Sequence, residues 1–128
     1  MWQDFADYIL NEIGDKQVKI AEIGVGNFDR ISNILSQKDN VTLIKTDIIP
    51  KDSSVIKDDI TNPNLELYEN ADIIYSIRPP SELQPHIERL SQKVDGTFII
   101  KPLCNEDLNI SSHKVKLKNY KKASFYIL

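Results

Sequence analysis

Four short apolar runs, VKIAEIG, VTLIKT, ADIIYSI and TFIIK, alternate with segments of helical periodicity. A run of this kind carries too little polar alternation to face water on one side, so it reads as a strand buried on both faces. Strands of that type, each followed by a helix, pair in parallel and need right-handed crossovers. Trp2, Phe5, Ala6, Ile9, Leu10 and Ile13 recur at three- and four-residue steps and predict a first helix, which Gly14 closes. Phe28, Ile31, Ile34 and Leu35 mark a second, ending near Lys38. Asn62 followed by Pro63 predicts the cap and first position of a helical turn that ends near Glu69. Beyond Pro79 and Pro80, Ser81 and Gln84 have capping-box spacing, and Pro85 after Gln84 is an alternative helix start. In either case Leu83, Ile87, Leu90 and Val94 share one helical face.

The C-terminal part changes character. Val115 and Leu117 alternate with Lys114, Lys116 and Lys118, then SFYIL follows, which predicts a hairpin with its lysines solvating one face or guarding an exposed edge. The segment from Cys104 to Ser112 is short for a helical crossover. An antiparallel ending, or a site completed by a protein partner or a second copy, is therefore expected. With 128 residues and no linker, the expectation is one domain over 1–128, three layers deep.

A net charge of −3 argues against a protein that mainly coats nucleic acid. No apolar run reaches the ~20 residues that span a bilayer, and MWQDFADYIL lacks the basic start of a signal peptide. Cys104 is the single cysteine. A soluble cytoplasmic protein is expected. His86, His113 and Cys104 have no metal-binding spacing, so no metal site is expected.

In an open parallel sheet, ligands bind beyond the carboxyl ends of the strands. The chemically active residues cluster at such ends: Glu22 to Gly26, Asp47, Asp58 and Asp59, Ser76 to Pro80, and Lys101 to Asn105. In AEIGVGNFDR, Asp29 occupies the place of the third glycine of a dinucleotide loop, where a carboxylate would repel a pyrophosphate. Glu22 opens the loop with an acid that suits an ammonium group. Asp47 follows Gly26 at about the ~20-residue distance from which an acid binds ribose hydroxyls. Asp59, or Asp58, is placed to accept an adenine amine, with Ile48, Ile49 and Ile60 as apolar surfaces. An adenosine carrying positive charge and no phosphate fits this set: S-adenosylmethionine (SAM). The structural alternative is that Gly24 and Gly26 only permit a tight turn, and Asp47 and Asp59 only cap turns.

Glu-x-Gly-x-Gly followed by acids at the ends of the second and third strands resembles the class I SAM-dependent methyltransferases, from the first helix to the fifth strand. That resemblance implies a Rossmann-like methyltransferase fold, with a mostly parallel sheet between helices on both faces. It also implies cofactor contacts from Glu22, Gly24 and Gly26 to the methionine part, Asp47 to the ribose and Asp59 to adenine. YSIRPP and IIKPL look like a group of small uncharacterised archaeal proteins related to those enzymes. SIRPP faintly resembles the Asn/Asp-Pro-Pro-Tyr signature of amino-group methyltransferases, but Arg78 replaces the amide or acid and Ser81 the aromatic residue. Arg78 and Tyr75 are the candidate catalytic residues. Arg78 and Lys101 are read as binding an anionic acceptor, or Arg78 as pairing with a nearby acid. Tyr75 could stack on the acceptor or hydrogen-bond to it. The functional expectation is transfer of a methyl group to an unidentified acceptor. Alternatives are a non-catalytic nucleotide- or SAM-binding module and, more weakly, an NAD-dependent oxidoreductase domain.

Overall fold

All seven strands join one sheet in the order β3-β2-β1-β4-β5-β7-β6. The computed structural model describes residues 2–102, 108–111 and 114–128. Helix α1 (Trp2–Ile13) leads into β1 (Val18–Ile23), α2 (Arg30–Ser36), β2 (Val41–Asp47) and the short β3 (Ile56–Lys57). A 3-10 turn (Leu65–Leu67) precedes β4 (Ile73–Ile77), and a second (Ser81–Leu83) leads into α3 (Gln84–Ser91). The chain ends with β5 (Thr97–Lys101), β6 (Lys116–Tyr120) and β7 (Ala123–Ile127). β1 pairs in parallel with β2 and β4, β2 with β3, and β4 with β5. β7 lies antiparallel to both β5 and β6. The expected mostly parallel sheet with an antiparallel hairpin is the observed one.

The pleat divides the core into two. On one face Phe5, Ile9, Ile20, Ile31, Tyr75 and Phe125 bury α1 and α2 against the sheet. On the other Ala21, Ile23, Tyr68, Ile74, Ile87 and Phe98 bury α3 and the first 3-10 turn. Successive residues of β1 thus serve opposite layers, as a strand buried on both sides requires. Between α3 and β5, Gly96 has φ +130°, and a Cβ there would stand 2.6 Å from the Ala71 carbonyl oxygen. Only glycine fits that approach.

Several local expectations are corrected. α2 begins at Arg30, so Phe28 precedes it and packs instead on Trp2, with ring centroids 4.6 Å apart. The turn before β4 is capped by Asn64, whose Oδ1 accepts from the Glu66 amide at 3.2 Å, and not by Asn62. No capping box forms between Ser81 and Gln84. Gln84 is buried, donates through Nε2 to the Pro79 carbonyl and accepts at Oε1 from the Asn109 amide, and Pro85 lies in the first turn of α3. Leu117 is 56% exposed. The lysine face of β6 is the one that meets α1, with Lys118 Nζ 6.0 Å from the Tyr8 ring, which puts Leu117 on the opposite face of an edge strand. No helix among the described residues is long and apolar enough to cross a membrane. Cys104, His113 and most of the link from 104 to 112 lie outside the described residues.

Candidate functional site

The strand order reverses between β1 and β4: successive strands run outward from β1 to β3 on one side and from β4 to β5 on the other. Crossover helices leave from opposite faces there and open a crevice at the carboxyl ends. A cavity of about 500 Å³ occupies that crevice.

Asp47 forms one wall and also holds the backbone together. Its Oδ2 accepts from the Gly26 amide at 2.8 Å and its Oδ1 from the Ile49 amide at 3.0 Å. One carboxylate therefore ties the loop after β1 to the loop after β2. The Gly24 and Val25 amides both donate to the Thr46 carbonyl, at 2.9 and 3.2 Å, which pulls the first loop down onto β2. Gly24 and Gly26 take φ +71° and +53°, the left-handed region that lets the chain turn so sharply.

Asp58 and Asp59 line the same cavity but differ in what they hold. Asp58 accepts from the Asn64 amide at 2.9 Å and, at 2.6 Å, from the hydroxyl of Tyr68. That hydroxyl is also 3.1 Å from Thr46 Oγ1, which donates to the Glu22 carbonyl at 3.3 Å. Burial and the Asp58 carboxylate push the Tyr68 hydroxyl well above the usual tyrosine range. Tyr68 thus stays a neutral donor. Asp59 Oδ1 accepts from the amide and hydroxyl of Thr61, at 2.9 and 2.7 Å, and these bonds hold its carboxyl below the usual carboxylate range. Its Oδ2 accepts no hydrogen bond among the described residues. Asp59 is therefore the one of the three with a whole carboxylate oxygen unengaged, while each Asp47 oxygen holds a single amide and keeps a second lone pair.

Ile48 and Ile60 provide apolar lining, and Ser76, Arg78, Pro79 and Pro80 close the β4 end. Arg78 has φ +52°, and its guanidinium lies 5.1 Å from the Phe28 ring centroid and 5.6 Å from that of Trp2. It forms no ion pair among the described residues, so the alternative of pairing with a nearby acid finds no partner among them.

Four of the expected site residues fall elsewhere. Gly26 touches Asp47 without lining the cavity. Glu22 is 1% exposed, on the α1/α2 side of the sheet, and accepts the Tyr75 hydroxyl at 2.6 Å. Burial pushes the Glu22 carboxyl up to about 7, although the Tyr75 hydrogen bond and the Lys45 charge pull the other way. Tyr75 is buried in the same layer, and burial beside Glu22 drives its hydroxyl well above the ordinary value. Both side chains bridge β1 and β4 from below and do not line the cavity. Lys101 is 3% exposed, with Nζ 3.5 Å from the Pro102 carbonyl and 5.6 Å from the Trp2 ring.

Sequence reasoning missed Tyr68 and Thr46, which line the cavity, and Trp2 and Phe28, which hold Arg78 from outside its lining. Trp2 and Phe28 read as helix-face residues, and Tyr68 lay in a turn without periodicity. The one available signal was a tyrosine ten residues beyond an Asp-Asp pair, which has meaning only once the turn folds back.

The fold is shared with known enzymes. A SAM-dependent methyltransferase from Aquifex aeolicus superposes with a TM-score of 0.58 at 14% identity, covering 95% of this chain and 87% of that one. An S-adenosyl-L-methionine methyl transferase from Silicibacter pomeroyi gives 0.62 at 12% identity, over 98% and 88%. The MycE methyltransferase of the mycinamycin biosynthetic pathway, solved with Mg and SAH, gives 0.61 at 19% identity, and the chain spans 45% of its length. At such identities the likeness establishes the fold. In sequence, a UPF0146 protein of Methanothermobacter thermautotrophicus is 40% identical over 126 residues, 98% of this chain and 93% of that protein. One from Methanocaldococcus jannaschii is 46% identical over 115 residues, 85% and 82%. The family model described as "Uncharacterised protein family (UPF0146)" matches residues 2–128, and the chain belongs to that archaeal family and has a methyltransferase-like fold.

Proposed function

We propose that this protein is a single SAM-binding domain whose cavity takes the cofactor and presents it to an acceptor for methyl transfer. The observation that carries the reading is the chemistry of one wall: Asp47, Asp58 and Asp59 line a crevice together with Ile48 and Ile60. Three carboxylates repel a phosphate chain and favour a ligand with hydroxyls, an amine and net positive charge. Asp47 accepts ribose hydroxyls while keeping the two loops joined. Asp59 Oδ2 accepts the exocyclic amine of adenine, and Ile48 and Ile60 cover the ring. Gly24 lets the backbone approach the methionine part. Glu22 acts from beneath, through its bond to Tyr75 and its place in β1, and makes no direct contact with the cofactor. Bound SAM supplies a methyl group on a sulfonium, and the chain's own contribution is to fix its position relative to the acceptor.

Calorimetry with S-adenosylhomocysteine (SAH), SAM, NAD and ATP on wild type, Asp47→Ala and Asp59→Ala tests the reading. SAH is expected to bind wild type more tightly than NAD or ATP and to lose about tenfold in affinity, ~1.4 kcal/mol, with either substitution. Binding of ATP or NAD in preference to SAH would reject it. A second reading, binding without turnover, is favoured by the burial of Tyr75 away from the cavity. Transfer of labelled methyl from SAM to a component of an archaeal extract would exclude that second reading.

A further inference from the structure

We infer that Arg78 is the oxyanion receptor of this cavity and binds a carboxylate or phosphate group. The inference deepens the proposed function and rests on it for the identity of the other ligand, but not for the anion site itself.

Three independent features converge on Arg78. The first is its backbone. At the end of β4 the Arg78 amide donates to the Lys101 carbonyl at 2.7 Å, and the chain turns with φ +52° before two prolines. A glycine would adopt this conformation without penalty, whereas any side chain is strained there. An exposed arginine in such a place is a residue whose side chain has a use. The second is preorganisation. The guanidinium rests over the Phe28 and Trp2 rings, themselves in contact, so its position is set before any ligand arrives. The third is unanswered charge. None of its N–H groups donates a hydrogen bond to a described residue, and it forms no ion pair among them, although three carboxylates line the same cavity. Those acids hold amides and hydroxyls of their own.

The cavity is therefore zoned. Its β2–β3 end is acidic, and its β4 end presents Arg78, a planar donor fork suited to two oxygens of one anion. Two sources share that chemistry: an acidic acceptor, and the carboxylate of the cofactor's own amino-acid tail.

Trp2 is the only tryptophan in the chain, so its fluorescence reports on the site directly. Inorganic phosphate is titrated into the protein without cofactor, against sodium chloride of equal ionic strength, following Trp2 emission and the arginine Nε–Hε resonances. A saturable change is expected in wild type, weakened at least tenfold in Arg78→Gly, a substitution that relieves the backbone and keeps the fold. A change no larger than that of sodium chloride, or equal affinity in Arg78→Gly, would overturn the inference. SAH and methylthioadenosine, which lacks the amino-acid tail, then separate the sources. Weaker SAH binding by Arg78→Gly with methylthioadenosine unaffected assigns the oxyanion to the cofactor, and equal binding of both assigns it to the acceptor. Should neither nucleoside bind wild type, the cofactor reading fails while the phosphate titration still decides the role of Arg78.

Discussion

Glu22 is a buried carboxyl group bonded to the Tyr75 hydroxyl, raised from an ordinary 4.5 to about 7 chiefly by burial. The folded protein holds this proton more tightly than the unfolded chain does. Its contribution to stability is complete below about pH 4.5 and is lost as pH rises through about 7. The difference amounts to roughly 3 kcal/mol. Urea denaturation of wild type between pH 4.5 and 8 should show a loss of that order, and Glu22→Gln, which keeps an oxygen for Tyr75, should flatten the profile. Parallel profiles would mean that Glu22 is ionised in place. Tyr68 offers a second check at the same scale. Removing its hydroxyl in Tyr68→Phe takes a charge-assisted bond from Asp58, and a loss of about 1–2 kcal/mol in chemical denaturation is expected.

Among elements, the β4–β5 pair depends on one close approach. The Thr97 amide donates to the Asp72 carbonyl at 2.9 Å, which requires Gly96 to pass against Ala71. Gly96→Ala should destabilise by at least ~2 kcal/mol, since both its φ and the clash oppose a methyl group. Gly14, at φ +55° with open space around it, serves as the control: Gly14→Ala should cost only ~1 kcal/mol. Thermal denaturation of the two variants separates steric conflict from backbone preference. α2 shows a different kind of dependence. It has seven residues and no side-chain cap from Asp29, so its helix persists through Ile31 and Leu35 packed in the core.

Over the whole molecule, the last strand and the first helix close the structure on itself. Phe125 of β7 packs against Phe5 and Tyr8 of α1, with centroids 5.2 and 4.7 Å apart, and the Lys122 amide donates to Asp4 Oδ2. These contacts join residues more than a hundred positions apart, and β7 sits between β5 and β6. Phe125→Ala should cost ~3–5 kcal/mol in urea denaturation, as expected for a fully buried ring with little room to collapse. Amide exchange should be slowest in β1 and β4, at the centre of the sheet, and fastest in the edge strands β3 and β6.

The amino-acid sequence by itself determined the elements and the end of the sheet where chemistry gathers. Short apolar runs rich in Ile and Val and bounded by turn residues fit strands covered on both sides, and Trp2 to Ile13 buries one helical stripe. An acid placed after such a run must lie at a carboxyl end, which is why Asp47 is legible in the sequence, and Asp59, beyond the short β3, joins it on one cavity wall. Tertiary structure alone decided which side of the sheet each end residue serves. Glu22 and Asp47 close neighbouring strands, but the pleat turns Glu22 into the α1/α2 layer with Tyr75 while Asp47 meets the loop of Gly26. The hold of Tyr68 on Asp58, the contact of Trp2 and Phe28 with Arg78, and the exposure of Leu117 follow the same rule. Each depends on chain segments brought together by packing, and local periodicity carries information about one segment at a time.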